Sequence, residues 1–122
     1  LFQLRQKMVD PVQDYAIILG DVNGKILYWN TGVERLTGSK EHEIVGQNLS
    51  IFYLPLDRQH KLPENLIDLA RREGSAKHIG RRVKKDGTIY WGSIVITALH
   101  DDQNNVIGFT KLTRELRNGD TE

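Results

Sequence analysis

The chain has 122 residues, 39% of them hydrophobic and 27% charged, with 17 basic against 16 acidic side chains, the size and balance of one soluble domain. It contains no cysteine, so disulfide frameworks, thiolate nucleophiles, cysteine-ligated zinc and a flavin-to-cysteine photocycle are excluded together. The longest apolar runs, 15–19 and 94–99, fall far short of the ~20 residues of a membrane helix, and with no secretory signal either a cytoplasmic protein without direct membrane insertion is expected.

Residues 1–12 place Leu1, Leu4 or Arg5, Met8 and Val12 on one helical stripe, with Phe2 and Val9 beside them. This pattern predicts a flanking helix that Pro11 ends. Two short strands follow over 15–19 and 26–29, joined through Asn23-Gly24, a hairpin signal because both residues tolerate positive φ. Thr31 and Glu34 fit a capping box, with Asn30 as the alternative cap, and Gly38 closes that helix. Glu41 to Val45 offers one more turn before Gly46. From Leu62, apolar residues recur at Leu66 and Leu69/Ala70, with Pro63 in the first turn and Gly74 just past the end. That is an amphipathic helix of about three turns. Three further strands are expected over 79–85, 88–99 and 106–115, separated by Asp86-Gly87 and by 101–105.

Strands and helices are segregated along the chain, which predicts an α+β fold: a five-stranded antiparallel sheet with short helices and one longer helix on one face. The strand over 88–99 carries apolar side chains on both alternating sets, so the second face also needs cover. Trp91, Val95 and Leu112 lie on it. The N-terminal helix, through Phe2, Met8 and Val9, or a second copy of the chain would supply that cover, giving a homodimer.

The motifs Asp14-Tyr15-Ala16-Ile17, Asn23-Gly24-Lys25-Ile26, Trp29-Asn30, Glu34-Arg35-Leu36-Thr37-Gly38, Glu43-Ile44-Val45-Gly46, Phe52-Tyr53 and Lys85-Asp86-Gly87 occur in that order. Val95-Ile96-Thr97-Ala98-Leu99, Val106-Ile107-Gly108-Phe109 and Thr113-Arg114-Glu115-Leu116 complete the series. Together they resemble a PAS domain over roughly 9–117, of the type found in bacterial sensor histidine kinases and related multi-domain signalling proteins. The resemblance implies a flanking helix over 1–12, a sensory domain over 13–117 and a tail over 118–122 toward an output domain of a longer two-component or similar signalling protein. Arg114, Glu115 and Leu116 stand at the family's signal exit, with Glu115 and Arg117 replacing the usual Asp and Thr. Light-sensing members place a cysteine where this chain has Leu49, and flavin binders use polar residues where Gly92 and Thr113 fall, so flavin is not expected. Haem is not expected either, because the axial position of one oxygen-sensor group aligns with Ala70 and His78 matches no other.

The same resemblance puts a ligand cavity between sheet and helices. Strand alternation points Gly92, Ile94, Ile96, Phe109, Lys111 and Thr113 toward it, with Tyr28 and Leu66 as further candidates. Gly92 suggests close approach by a ligand or another backbone, or simple packing room. Lys111 is the unusual inward residue, since a buried ammonium needs an acid such as Glu34, the cavity rim, or an anionic ligand. Pairing with Glu34 is the favoured reading. The basic segment over 71–85 reads as a solvated strand face rather than a nucleic-acid patch, because no aromatic residue is interleaved for stacking. His42, His60, His78 and His100 lack the spacing of a metal site, and no catalytic motif occurs. The expectation is a non-enzymatic sensor module that binds a small molecule. The alternative is a ligand-free interaction module whose core is filled by Ile94, Ile96, Phe109 and Leu66.

Overall fold

The computed structural model describes residues 15–116, so the helix expected over 1–12, with Phe2, Met8 and Val9, lies outside the described residues, as do Arg117 and the tail over 118–122. Strand β1 (Tyr15–Gly20) buries every second residue, Ala16, Ile18 and Gly20, as side chains of period two require. The Asp21 carboxylate then accepts from the backbone N–H groups of Asn23 and Lys25, both at 2.9 Å. Gly24 takes φ 84°, open to a residue without Cβ, and the chain returns as β2 (Ile26–Trp29).

Asn30 is the N-cap of α1 (Thr31–Thr37), but its side chain does not cap the helix. Its Oδ1 accepts from the Ile17 N–H at 2.9 Å and its Nδ2 donates to the Tyr15 carbonyl at 3.3 Å, tying the helix start to β1. The Thr31–Glu34 capping box is therefore not formed, since Thr31 is already helical and a cap residue must not be. A one-turn helix α2 (Glu41–Ile44), a 3₁₀ turn (Leu49–Phe52) and α3 (Pro55–Gln59) lead to α4 (Leu62–Glu73). This last helix has the expected bounds, with Pro63 in its first turn and the Gly74 N–H bonded to the Ala70 carbonyl at 2.8 Å.

Strands β3 (Ser75–Val83), β4 (Ile89–His100) and β5 (Val106–Glu115) complete an antiparallel sheet of order β2-β1-β5-β4-β3. β3 begins at Ser75 rather than Ile79, because the polar start Ser75–His78 is held by register with Ile94 to Thr97 of β4. On the inner face, Ile18, Lys111, Ile96 and Ala76 form one row across four strands, and Ala16, Thr113, Ile94 and His78 form the next. Arg82 and Tyr90 are partners on the same face at the end of the β3–β4 pair. The helices pack on that face, α1 against β1 and α4 against β3 and β4, and the core lies between the layers. Fully buried Ile94, Ile96 and Phe109 sit at its centre, each contributing about 2–3 kcal/mol of burial.

Candidate functional site

The inner face of β3 reads Ala76, His78, Gly80 and Arg82 by parity. Gly80 and Gly92 are register partners, and the missing Cβ atoms leave room for the Arg82 side chain across them. A Cβ at Gly92 would lie 3.3 Å from Arg82 Cγ, and one at Gly80 would lie 3.2 Å from Arg82 Nη1. Packing room, not an open approach for a ligand, is what Gly92 supplies. Arg82 is thereby buried to 0% exposure, correcting its reading as part of a solvated face.

Arg82 Cζ stands 4.5 Å from the centroid of the Tyr53 ring. Its Nη1 donates to the Arg81 carbonyl at 2.9 Å and its Nη2 to His78 Nδ1 at 2.9 Å, while Nε has no hydrogen-bond partner. A guanidinium only donates, so His78 Nδ1 accepts and the imidazole is neutral. Burial, followed by the Arg82 charge, lowers the His78 pKa. His78 is thus a half-buried partner of Arg82 and not a residue of the sheet surface.

Lys111 projects from the central strand between Ile18 and Ile96 and is 2% exposed. Its ammonium lies 4.6 Å from the Tyr53 ring centroid and 5.3 Å from that of Phe52. The expected pair with Glu34 is not made, because α1 turns Gly32, Val33, Leu36 and Thr37 inward and leaves Glu34 exposed. Among the described residues no carboxylate pairs with Lys111. Burial, and then the Arg82 charge, push its pKa down to about 7. Burial likewise pushes the Tyr53 phenol up to about 12 and raises that of Tyr90.

Lys111 and Thr113 border a cavity of about 10 Å³, lined also by Ala16 and Tyr90 of the sheet and by Val33, Leu36 and Phe52 of the helical layer. Ile94, Ile96, Phe109 and Leu66 are packed core side chains. Tyr28 is 55% exposed and pairs with Leu19 on the outward parity of β1, so it does not face the cavity. A strand of four residues is too short for alternation alone to fix its inward face. The sequence alone does not single out Arg82 or Tyr53 as site residues. Strand parity with Ala76 was the available signal for Arg82, whereas Tyr53 follows a 3₁₀ turn that has no sequence period.

At the exit, the Leu116 N–H donates to the Trp91 carbonyl at 2.8 Å. Glu115 pairs with Lys84 at 3.3 Å, and the Lys84 ammonium stands 5.4 Å from the Tyr90 ring centroid. A wider surface cleft of about 470 Å³ includes Lys84, Lys85 and Asp86, but Lys84 is engaged by Glu115 and Lys85 by Glu43. On the outer face, Val95 and Leu112 are register partners and partly buried, and Trp91 is 56% exposed. Among the described residues no group of three potential metal ligands occurs, and no helix is long and apolar enough to cross a membrane.

A five-stranded antiparallel sheet with helices packed on one face and a cavity between the layers defines an α+β architecture. The sequence matches the family model of the PAS fold over residues 4–114, and the chain belongs to the PAS family. It is 40% identical over 109 residues to two-component system protein A of Emericella nidulans, covering 89% of this chain but 16% of that protein. A PAS domain from Colwellia psychrerythraea superposes with TM-score 0.81 at 26% identity, covering 94% and 96% of the two chains. The light state of the blue-light photoreceptor Aureochrome1 LOV gives 0.72 at 20% identity, covering 91% and 88%. A PAS domain in complex with ethanol, from a LuxR-family transcriptional regulator of Burkholderia thailandensis, gives 0.71 at 14% identity, covering 90% and 96%.

Proposed function

We propose that the chain is the cytoplasmic sensor module of a multi-domain signalling protein, reading a small molecule between sheet and helices and passing the change to an attached output domain such as a histidine kinase. The observation that carries this reading is the contact path from cavity to exit. Tyr90 walls the cavity, Lys84 lies over the Tyr90 ring, and Glu115 of the exit segment pairs with Lys84. A ligand shifts such a system only by binding two arrangements of the cavity wall unequally. Displacement of Tyr90 is the local event that would alter the Lys84–Glu115 pair. The role is regulatory and non-catalytic, and a homodimer through the outer sheet face around Trp91, Val95 and Leu112 accompanies it. Flavin and haem stay outside this reading, since cofactor pockets run to roughly 300 Å³ or more and the cavity is about 10 Å³.

That small volume favours a second reading, a ligand-free interaction module with a filled core. A titration of the isotopically labelled chain with a library of small neutral and charged compounds, followed by amide NMR, separates the two. Compounds that shift the amides of Tyr90 and Thr113 are expected to shift Glu115 and Leu116 as well. A library with no compound acting on the cavity amides would favour the filled core, and cavity shifts that stop short of Glu115 would break the proposed path.

A further inference from the structure

We propose that the core contains a small-anion site at the cavity bordered by Lys111 and Thr113, with Lys111 Nζ as its cationic donor, the buried Arg82 guanidinium adding positive charge at the shared Tyr53 ring, and a halide or the carboxylate head of a short acid as its ligand. This assignment deepens the sensor reading and rests on it. Two cationic side chains lie within 4.6 Å of one tyrosine ring centroid and are 0% and 2% exposed. Among the described residues neither has a carboxylate partner. A buried charge without a counterion is costly, and contact with a ring face returns only part of that cost.

The neighbouring titratable groups do not pair with either cation: Asp57 and Glu64 act on Tyr53, and Asp57 on His78, only through space, and Glu115, which acts on Tyr90, is held by Lys84. His78 of β3 is neutral and its Nδ1 is already taken by Arg82. Tyr53 and Tyr90 hold their protons, because burial raises both phenols. Arg82 has bonded donors at Nη1 and Nη2 and an unused one at Nε, an orphaned donor inside the protein. Lys111 and Thr113 both line the cavity. A volume of about 10 Å³ is that of roughly one water-sized probe, which sets the ligand's size. It restricts the site to the smallest anions, which enter with a small outward shift of the helical layer, and excludes an aromatic or sugar ring.

The test is thermal unfolding of the wild-type chain at constant ionic strength, with gluconate replaced stepwise by chloride, bromide, formate or acetate. A saturable rise in Tm is expected with at least one of these small anions, and the halide and carboxylate arms separate the two ligand sources. Lys111→Met should weaken that response at least tenfold and melt higher than wild type in gluconate alone, since it removes the buried charge and keeps the volume. An equal anion response in Lys111→Met, or none in wild type, overturns the site. Should Lys111→Met fail to fold, amide NMR of the wild type decides. Saturable bromide or formate shifts at Arg82, Lys111 and Thr113 support the site, and shifts confined to surface residues overturn it. Neutral compounds moving the cavity amides without any anion response would remove the anion site and leave the sensor reading intact; silence from both classes would remove both.

Discussion

Gly32 and Gly74 differ in what an added methyl group would meet. A Cβ on Gly32 would lie 1.9 Å from the Tyr15 carbonyl oxygen, whereas one on Gly74 meets nothing within 4 Å. The cost at Gly74 is conformational alone, from φ 94° at the end of α4. Gly32→Ala is expected to destabilise by about 3 kcal/mol or more, and Gly74→Ala by about 1–2 kcal/mol, compared by urea denaturation. A Gly32→Ala loss no larger than that of Gly74→Ala would refute the close seating of α1 on β1. The same local geometry explains Asn30. Its side chain looks like a helix cap in sequence, yet it serves the backbone of β1, a partner distant in sequence that no local pattern reveals.

Among the elements, β4 shows its two faces most plainly. Tyr90, Gly92, Ile94, Ile96 and Ala98 are buried, while Ile89 and Trp91 are 51% and 56% exposed on the other side. Self-association through that outer face is expected to weaken in Trp91→Ala, measured by sedimentation equilibrium across a concentration series. An unchanged dimer, or a wild type that stays monomeric at high concentration, would exclude Trp91 from such an interface. Where alternation was strong, as in β4 and β5, strand and face were both legible in the sequence, and the caps at Pro63 and Gly74 bounded α4. β3 was legible only in part, because Ser75, Lys77 and Arg81 are exposed at the sheet edge and Arg82 is buried despite its charge. Polarity misleads wherever glycines let a long side chain fold inward.

For the whole molecule, Lys111 couples stability to pH. Its folded pKa is pushed down to about 7, against an ordinary value near 10.4. Between those limits the unfolded chain binds a proton that the folded chain does not, so stability rises with pH from about 7 toward 10. Below about 7 both states hold the proton and the penalty is constant. His78, also lowered, adds a loss of stability as pH falls below its ordinary range near 6.5. Tyr53 and Tyr90, raised by burial, reverse the trend above about pH 10, where unfolded phenols ionise first. Urea denaturation at pH 7, 8 and 9 in gluconate is expected to show wild-type stability climbing by about 1 kcal/mol per pH unit or less. Lys111→Met should be nearly flat, and an equal slope in both proteins would remove Lys111 as the coupled group.

Periodicity, turn residues and the ordered motifs were enough to determine the α+β class, the strands β1, β2, β4 and β5, the helix α4 and the PAS resemblance. These depend on short-range chemistry: side chains alternate along a strand, recur along a helix, and glycines permit the turns. They were also enough to single out Lys111 as an inward ammonium, since its parity with Phe109 and Thr113 is local. What answers its charge was decided by tertiary structure alone. The rings of Phe52 and Tyr53 reach Lys111 from the helical layer, and Arg82 arrives across Gly80 and Gly92 from the edge strand. Glu34 stays on the exposed side of α1. Each of these placements depends on how layers distant in sequence meet, and charge compensation in a core is set by that meeting.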